Sequence, residues 1–356
     1  MVPPNQGAGH FLRMTRTEAA PLHTDTEPQA SLRARVEYGA FLVLDGIVGR
    51  LPWTLVLALG KVLGQLFYLV DPRHRRVVRD NLTRSDLNLS KEEIRKLSRG
   101  TFRHFGSFFL SLLRLRTATV QELDQWIRVE GLEHFDAVQA QGKGFIQLTG
   151  HYGHWEAVAL GQSRHGRTLD VIGRALNNPL LEPISKGFRE RFGNHVILKD
   201  GAVRECLKSI KAGRGIGFLL DQDALTSGLW VSFLGRWAST FSTAGMLAAR
   251  YGLPVLPVFS WPNEDGTITV RFEPAFCPPR TDDPARDVWV ATQLMTTRIE
   301  NQVRKDPRWW FWMHRRFKTR PDSQGHPLPA ALPDPAWIQW FQEHYPEVAF
   351  PAAGAP

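Results

Sequence analysis

Cysteine is scarce in this chain. Its 356 residues include two cysteines, Cys206 and Cys277, which are too few for a disulfide framework and lack C-x-x-C spacing. The N-terminus also lacks the basic start, apolar stretch and small-residue cleavage site of a signal peptide. The scarcity of cysteine is compatible with a reducing, cytoplasmic environment.

Several catalytic signatures are missing as well. No G-x-S-x-G sequence marks a nucleophilic serine, and neither cysteine has a plausible catalytic partner nearby in the sequence. Walker and Rossmann glycine loops are absent, and so are the helix-turn-helix, zinc and RNP patterns of nucleic-acid-binding proteins. These absences disfavour nucleophilic catalysis by serine or cysteine and phosphate binding by a glycine loop, and they leave direct attack by a group of the substrate.

The chain is strongly basic and rich in Trp and Phe. A formal net charge of +9 and a pI near 9.8 favour an anionic partner, which could be nucleic acid, acidic lipid headgroups or an acidic carrier protein. Twelve Trp and 21 Phe against five Tyr suit a membrane interface, although a large core also collects such residues. With 43% hydrophobic residues, the chain can form one large domain or two ordinary ones.

The first 126 residues predict a tail followed by helices. Residues 1–33 lack periodicity and predict a disordered tail, whereas 34–126 predict a helical, membrane-associating region. Within it, 51–70 is apolar except for Lys61. This stretch could lie in the membrane interface, span the bilayer or form a buried core helix. We favour the first, because Lys61 near the middle of a span costs about 2.5–3.5 kcal/mol.

A basic cluster directly follows that stretch. It consists of Arg73, His74, Arg75, Arg76 and Arg79, and it either binds anionic headgroups or forms a solvated helix face.

Two further helix signals come before residue 126. Ser90-x-x-Glu93 predicts a capping box at a helix N-terminus. The stretch 101–115 predicts an amphipathic helix. Its predicted apolar face consists of Phe102, Phe105, Phe109 and Leu112.

From residue 127 short apolar runs alternate with helical stretches. This alternation predicts an α/β domain over 127–320, with a mixed central sheet flanked by helices. Residues 321–356 predict a Pro- and Ala-rich tail with one short helix at 335–344. The candidate strands are 144–148, 169–173, 195–198, 215–220, 254–261 and 267–273. The candidate helices are 132–142, 154–164, 179–192, 201–212, 239–251 and 284–305.

The stretch 144–156, GFIQLTGHYGHWE, runs from a predicted strand through a glycine-flanked His151 into a predicted helix. His151 can take up a proton near neutral pH, and Glu156 five residues later can orient it, so the pair suggests a general base. Alternatively, His151, His154 and Glu156 could bind a metal ion together with Asp221 and Asp223. No H-E-x-x-H helix or cysteine pair supports the metal site.

These motifs carry a family resemblance. His151, four residues and Glu156 match the first motif of the lysophospholipid acyltransferase superfamily, and HYGHWE at 151–156 is similar to the bacterial lipid A biosynthesis acyltransferases, the late lauroyl and myristoyl transferases. GRALNNP at 173–179 resembles the arginine motif of that branch, and the ordered matches extend from about 52 to 321. The further matching residues are Arg189, Arg191, Gly193, Asp221, Asp223, 231–235, Thr240 and 310–318.

The resemblance implies roles for the matched residues. Arg174 or backbone amides would stabilise an oxyanion, with a surface salt bridge as the alternative for Arg174. Asp221 and Asp223 would position the acceptor or stabilise a loop. Arg315, Arg316 and Lys318 would meet acceptor phosphates or the acidic carrier, with a solvated surface as the alternative. The substrate-binding set that it implies is Arg174, Asn177, Arg189, Asp221, Asp223, Gly235, Thr240, His314, Arg315 and Arg316.

The implied activity is acyl transfer on the cytoplasmic face of the inner membrane, without cofactor, metal or nucleic acid. His151 would deprotonate an acceptor hydroxyl as it attacks the thioester of acyl carrier protein, and Glu156 would hold the imidazole. The acceptor would be a glycolipid such as a lipid A precursor, or another glycolipid or phospholipid. A metal-dependent hydrolase and a non-catalytic basic protein that binds lipid or nucleic acid are the alternatives of another class.

Overall fold

The computed structural model describes residues 30–198, 201–320 and 332–351. Of the two predicted tails, 1–29, 321–331 and 352–356 lie outside these residues. Within the described part the strands are β1 (Ile127–Glu130), β2 (Phe145–Thr149), β3 (Asp170–Gly173), β4 (His195–Leu198), β5 (Gly215–Leu219), β6 (Leu229–Phe233), β7 (Arg236–Thr240), β8 (Val255–Pro262) and β9 (Ile268–Phe272). The α-helices are α1 (Leu32–Val48), α2 (Trp53–Val70), α3 (Pro72–Arg84), α4 (Lys91–Thr117), α5 (Val120–Trp126), α6 (Leu132–Gln139), α7 (Trp155–Ser163), α8 (Glu182–Glu190), α9 (Ala202–Lys211), α10 (Thr243–Tyr251), α11 (Pro284–Lys305) and α12 (Pro335–His344).

A seven-stranded mixed sheet forms the centre of the fold, in the order β1-β9-β8-β2-β5-β3-β4. The five strands from β8 to β4 are mutually parallel, whereas β9 pairs antiparallel with β8 and parallel with β1. Strands β6 and β7 form a separate hairpin. All six predicted strands are present, and the predicted mixed α/β fold is confirmed.

Helices cover both faces of the sheet because the central strands are apolar on both sides. On β2, Ile146 and Leu148 belong to one buried cluster and Phe145 belongs to another. The first cluster includes side chains from α9, α10 and α11, and the second includes side chains from α6 and α7. The sheet is therefore the middle layer of three, as expected for parallel strands that connect through helices.

Helix α2 packs against α4 at very short range through three glycines. A Cβ added to Gly106 would lie 2.2 Å from the carbonyl oxygen of Gly60, and one added to Gly64 would lie 2.1 Å from that of Phe102. The opposite face of α2 leaves Leu59, Leu63 and other large apolar side chains exposed. A buried core helix, one of the three alternatives for 51–70, is therefore wrong. Within the described residues α2 is the one helix long and apolar enough to cross a membrane, judged by length and composition.

Helix α4 corrects one predicted face. It begins with the predicted capping box of Ser90 and Glu93, but it continues without a break through the predicted helix at 101–115. Phe109, predicted on the apolar face, is 53% exposed, and Phe108 is buried instead. The reason is that α4 packs against α2 on one side and against aromatic residues near β2 on another, so its buried surface is wider than one stripe.

Candidate active site

The register of two neighbouring strands brings His151 next to Asp221. Thr149, the last residue of β2, pairs with Leu219, the last residue of β5, in parallel orientation. Both chains then continue for two residues past the sheet edge, to His151 and Asp221. Gly150 permits this approach, because a Cβ there would lie 2.9 Å from Asp221 Oδ2. The pair thus lies at the carboxyl ends of parallel strands, where open α/β sheets place their binding sites.

Asp221 holds His151 through both the ring and the backbone. His151 Nδ1 lies 2.7 Å from Asp221 Oδ1, and the His151 backbone N–H donates to Oδ2 at 2.7 Å. The Trp310 indole N–H donates to Oδ2 as well, at 2.7 Å. The Asp221 side chain is 1% exposed and that of His151 is 18% exposed. A buried carboxylate therefore fixes an imidazole that solvent and substrate can still reach.

The charge state of the pair follows from these contacts. Burial by itself raises the pKa of Asp221, but the His151 imidazole and the hydrogen bonds from His151 and Trp310 outweigh it and hold the pKa at about 2. Because an ionised carboxylate only accepts hydrogen bonds, the hydrogen on the ring must be on Nδ1. Nε2 then presents its lone pair on the other side of the ring, where the side-chain amide nitrogen of Gln222 lies 3.2 Å away.

Glu156 does not contact the imidazole, which corrects its predicted role as the partner of His151. It lies in the first turn of α7, where Arg189 of α8 donates to both of its carboxylate oxygens, at 3.1 Å from Nε and 2.5 Å from Nη2. The charge of Glu156 is the largest contribution that raises the pKa of Arg189. This ion pair joins α7 to α8. The carboxylate that contacts the His151 ring belongs to Asp221.

The alternative metal set is not assembled. His154 is buried, its Nε2 lies 3.0 Å from the Ser111 hydroxyl, and burial lowers its pKa to about 4. Asp223 accepts a hydrogen bond from the Thr319 hydroxyl at 3.0 Å and from the backbone of Leu225. Across the described ranges, no three His, Cys, Asp or Glu side chains gather in a group that could hold a metal ion.

Two residues of the closing motif, His314 and Arg316, support the loop that carries Asp221. Arg316 is fully buried and donates to the carbonyl oxygens of Gln222 at 2.9 Å and Ser239 at 2.5 Å and to the Thr240 hydroxyl. Burial lowers its pKa to about 10. Its predicted contact with acceptor phosphates is therefore wrong, because the guanidinium is inaccessible. His314 Nε2 accepts from the Asp223 backbone N–H at 3.0 Å, and burial lowers its pKa to about 4.

A groove of about 490 Å³ extends from Phe311, an aromatic neighbour of His151, to α3. Phe311, Met313 and His314 line one part of it, together with Asp223 and Leu225. The Phe311 and Trp155 rings flank the His151 ring, with centroids at 6.3 and 5.0 Å. The imidazole thus lies near two aromatic rings, and one of them, Phe311, also lines the groove.

Comparison with known proteins identifies the family. Residues 26–319 match the family model described as bacterial lipid A biosynthesis acyltransferase. The chain belongs to this family. It is therefore an acyltransferase, and neither a metal-dependent hydrolase nor a non-catalytic binding protein.

Individual relatives agree with this acyltransferase assignment. The lipid A biosynthesis lauroyltransferase of Escherichia coli (strain K12) is 28% identical over 284 residues, which cover 78% of this chain and 90% of that protein. The palmitoleoyltransferase of the same organism is 26% identical over 282 residues, covering 76% and 88%. A phosphatidylinositol mannoside acyltransferase of Mycobacterium tuberculosis (strain CDC 1551 / Oshkosh) is 24% identical over 213 residues, covering 58% and 65%.

Four other predicted site residues of this acyltransferase lie farther from the imidazole or inside the protein. Arg174 and Asn177 are exposed on the loop after β3, a strand separated from β2 by β5. Gly235 has a φ of +72° in the turn of the β6–β7 hairpin, where a Cβ would lie 2.8 Å from Asp86 Cβ. Thr240 is buried and accepts from Arg316. Gly235 and Thr240 thus support the fold around the site, and Thr240 is not open to a substrate.

Gln222 and Trp310 were not predicted from the sequence as site residues. Trp310 lies in the matched stretch 310–318 and is buried, and its N–H contacts Asp221. Gln222 lies between the two predicted aspartates, and its proximity to His151 depends on the β2–β5 pairing. A buried Trp needs a partner for its N–H, which is the one signal in the sequence that pointed to such a contact.

Proposed function

We propose that this acyltransferase moves a fatty acyl group from acyl carrier protein to a hydroxyl of a lipid A precursor, with His151 as general base and Asp221 as its carboxylate partner. The observation that carries the proposal is the 2.7 Å contact between His151 Nδ1 and Asp221 Oδ1, which leaves Nε2 free to accept a proton. Support for the acceptor comes from the names of the relatives, which act on lipid A.

The chemistry is a direct transfer in two steps. The acceptor hydroxyl attacks the thioester carbonyl carbon while His151 Nε2 takes its proton, and ionised Asp221 stabilises the imidazolium that forms. The tetrahedral intermediate then collapses, the C–S bond breaks, and the imidazolium returns the proton to the departing thiolate. The products are an ester on the acceptor and the free thiol of the carrier. No acyl-enzyme is required.

Gln222 and the ion pair of Glu156 have supporting parts in this proposal. The Gln222 amide occupies the position beside Nε2 that the acceptor hydroxyl must take, so it hydrogen-bonds the hydroxyl or moves aside for it. Backbone amides would donate to the oxyanion, an interaction typically worth about 2.7–4 kcal/mol per donor. Glu156 acts as a positioning residue, because through Arg189 it fixes α7 next to the His151 turn.

The site would operate at the cytoplasmic face of the inner membrane. The exposed apolar face of α2 supports contact with a membrane, because a soluble protein rarely leaves large apolar side chains grouped on one face in water. The positive net charge favours both an acidic carrier protein and an anionic membrane surface.

The test is transfer of radiolabelled acyl groups from acyl carrier protein to a lipid A precursor by the purified full chain in detergent micelles. His151→Ala and Asp221→Asn should each lower kcat about 10²- to 10⁴-fold, the usual contribution of general-base catalysis. His165→Ala, at an exposed position on the turn after α7, is the matched control and should retain activity. Wild-type transfer from coenzyme A thioesters but not from the carrier would refute the donor. Transfer to a mannosylated phosphoinositide alone would refute the acceptor, and full activity of Asp221→Asn would refute the mechanism.

A further inference from the structure

A second, smaller cavity lies between α3 and the segment that follows Trp312, outside the hydrogen bonds around His151. Its volume is about 240 Å³, and Asp80 is the carboxylate in its lining. The cationic side chains that line it are Arg73, Arg76, Arg84, Arg315, Lys318 and Arg320. We call this group the basic cavity. It combines two stretches of sequence that are more than 200 residues apart, so neither stretch alone would reveal it.

Helix α3 forms one wall of the basic cavity. Arg73, Arg76, Asp80 and Arg84 follow one another at intervals of three or four, which places them along one face of a helix. The other wall is held against this helix by Asn81, whose buried side-chain amide donates to the carbonyl oxygens of Trp312 and His314, each at 2.8 Å. The cations therefore face one another across a space that protein contacts define.

The charges of the basic cavity are not neutralised by the protein. Across residues 30–198, 201–320 and 332–351, no hydrogen bond or ion pair joins any of the six cationic side chains to another residue. Neighbouring cations differ in this respect: Arg75 donates to the carbonyl oxygens of Tyr68 and Leu69 at the end of α2, and Arg304 pairs with Asp86. Six cations around one carboxylate make a strongly positive concave site, suited to a multiply charged anion.

The basic cavity adjoins the groove that Phe311 lines. The two spaces share Arg73, Val77, Arg315 and Lys318, and the groove continues to Phe311, whose ring centroid is 6.3 Å from that of His151. A single ligand can therefore place an anionic group among the cations and another part of itself next to His151.

We propose that the basic cavity binds a phosphate group of the acceptor glycolipid, so that the enzyme selects phosphorylated acceptors. This proposal rests on the proposed function, because it names the group by which that acceptor is recognised. Phosphate fits the observations because guanidinium groups bind it through paired hydrogen bonds, and because a small concave site admits a headgroup. The acidic residues of a folded carrier protein would project from a convex surface and would need an open basic face instead.

The experiment compares single arginine variants on one helix. Arg76→Gln and Arg84→Gln each remove one cation of the basic cavity, and Arg79→Gln removes an exposed cation of the same helix that does not line it. KM and kcat are measured with a phosphorylated lipid A precursor and with the same lipid after phosphatase treatment, at saturating acyl carrier protein. We expect Arg76→Gln and Arg84→Gln to raise KM for the phosphorylated lipid about tenfold or more, the scale of one lost charge-assisted hydrogen bond, with little change in kcat. All variants should match the wild type on the dephosphorylated lipid.

Three results would overturn the proposal. The first is an equal KM for Arg76→Gln, Arg84→Gln and Arg79→Gln on the phosphorylated lipid. The second is a rise in KM for the acylated carrier protein instead of the lipid, which would assign the basic cavity to carrier docking. The third is competition by inorganic phosphate without any preference for the phosphorylated lipid, which would assign it to free phosphate.

A binding measurement separates this proposal from the proposed function. Wild-type protein in micelles should bind the phosphorylated precursor more tightly than the dephosphorylated one, and Arg76→Gln should lose the difference. If the wild type shows this selective binding but transfers no acyl group to either lipid, the proposed function fails and the basic cavity stands. If it transfers acyl groups with no phosphate preference, the proposed function stands and the basic cavity fails.

Discussion

At the scale of single residues, the carboxylate partner of His151 could not be predicted from the sequence. His151, its position after a strand and its suitability as a base were all predicted from 144–156. Its partner was predicted as Glu156 because that carboxylate is close in sequence and matches a family motif. The structure selects Asp221, 70 residues later, because β2 and β5 are neighbours in register. Both strands were predicted, but their adjacency cannot be derived from the pattern of either one.

The ion pair of Glu156 and Arg189 leads to a prediction that separates positioning from direct contact with the imidazole. Their side chains are 14% and 28% exposed, so breaking the pair should cost about 2 kcal/mol, between the values for exposed and buried pairs. Glu156→Gln and Arg189→Gln should each lower both the free energy of unfolding and kcat. For each of these quantities the loss should be similar in the two variants. The double variant should lose little more than either single one, because the interaction is already gone.

This prediction is checked by urea unfolding and by kcat for the four proteins of the cycle. Asp221→Asn serves as the comparison, since it removes the carboxylate that touches the ring. If Glu156→Gln lost as much activity as Asp221→Asn while Arg189→Gln stayed near the wild type, Glu156 would act on His151 directly and the positioning role would be wrong.

At the scale of elements, the sequence located most of the regular structure but missed short pieces. The α12 bounds and the core strands were predicted, whereas β1 and the β6–β7 hairpin were not. The helix predicted from 239 begins at Thr243, because 236–240 forms the second strand of the hairpin. Leu234 and Gly235 form its turn with φ of +50° and +72°, and only the glycine of this pair is a recognised turn signal.

The crossing of α2 and α4 gives a prediction at this scale. Gly106→Ala should destabilise the protein by about 1–3 kcal/mol despite the higher helix propensity of alanine, because the new methyl group overlaps the backbone of α2. Gly100→Ala on the same helix is the matched control, since a Cβ there meets no atom within 4 Å. It should be neutral or stabilise by up to about 1 kcal/mol.

The measurement is the midpoint of thermal unfolding in detergent, together with proteolysis of the α2 region. Gly106→Ala should lower the midpoint and expose α2 to protease, and Gly100→Ala should do neither. Equal behaviour of the two variants would show that the glycines are not required for the approach of the helices.

At the scale of the whole molecule, composition predicted an anionic partner but not where the charge would act. Two basic stretches were noted separately, at 73–79 and 315–318. The structure gives these residues different roles. Arg75 donates to a carbonyl oxygen at the C-terminal end of α2, and Arg316 is buried under the active-site loop. Arg73, Arg76 and Arg315 line one cavity. Which cations converge depends on the packing of α3 against the closing segment. That packing depends on Asn81, a residue without any distinguishing pattern in the sequence.

Buried neutral histidines should make the folded protein sensitive to acid. Burial lowers the pKa of His104 to about 3 and the pKa values of His154 and His314 to about 4. In the unfolded chain each has its ordinary pKa near 6.5, so below that pH the unfolded state binds protons that the folded state does not. Stability is therefore complete above about pH 6.5 and falls as the pH decreases towards 4. Each histidine removes up to about 3 kcal/mol over that window.

Urea unfolding in detergent at several values between pH 7.5 and 4.5 checks this prediction. The free energy of unfolding should decrease steadily below pH 6.5. His154→Gln keeps a polar group beside Ser111 but cannot titrate, so its slope against pH should be smaller than that of the wild type by up to about 1.4 kcal/mol per pH unit, the value for one proton. A wild-type stability that is constant from pH 7 to 5 would contradict the buried neutral state of these three histidines. An unchanged slope in His154→Gln would contradict it for that residue alone.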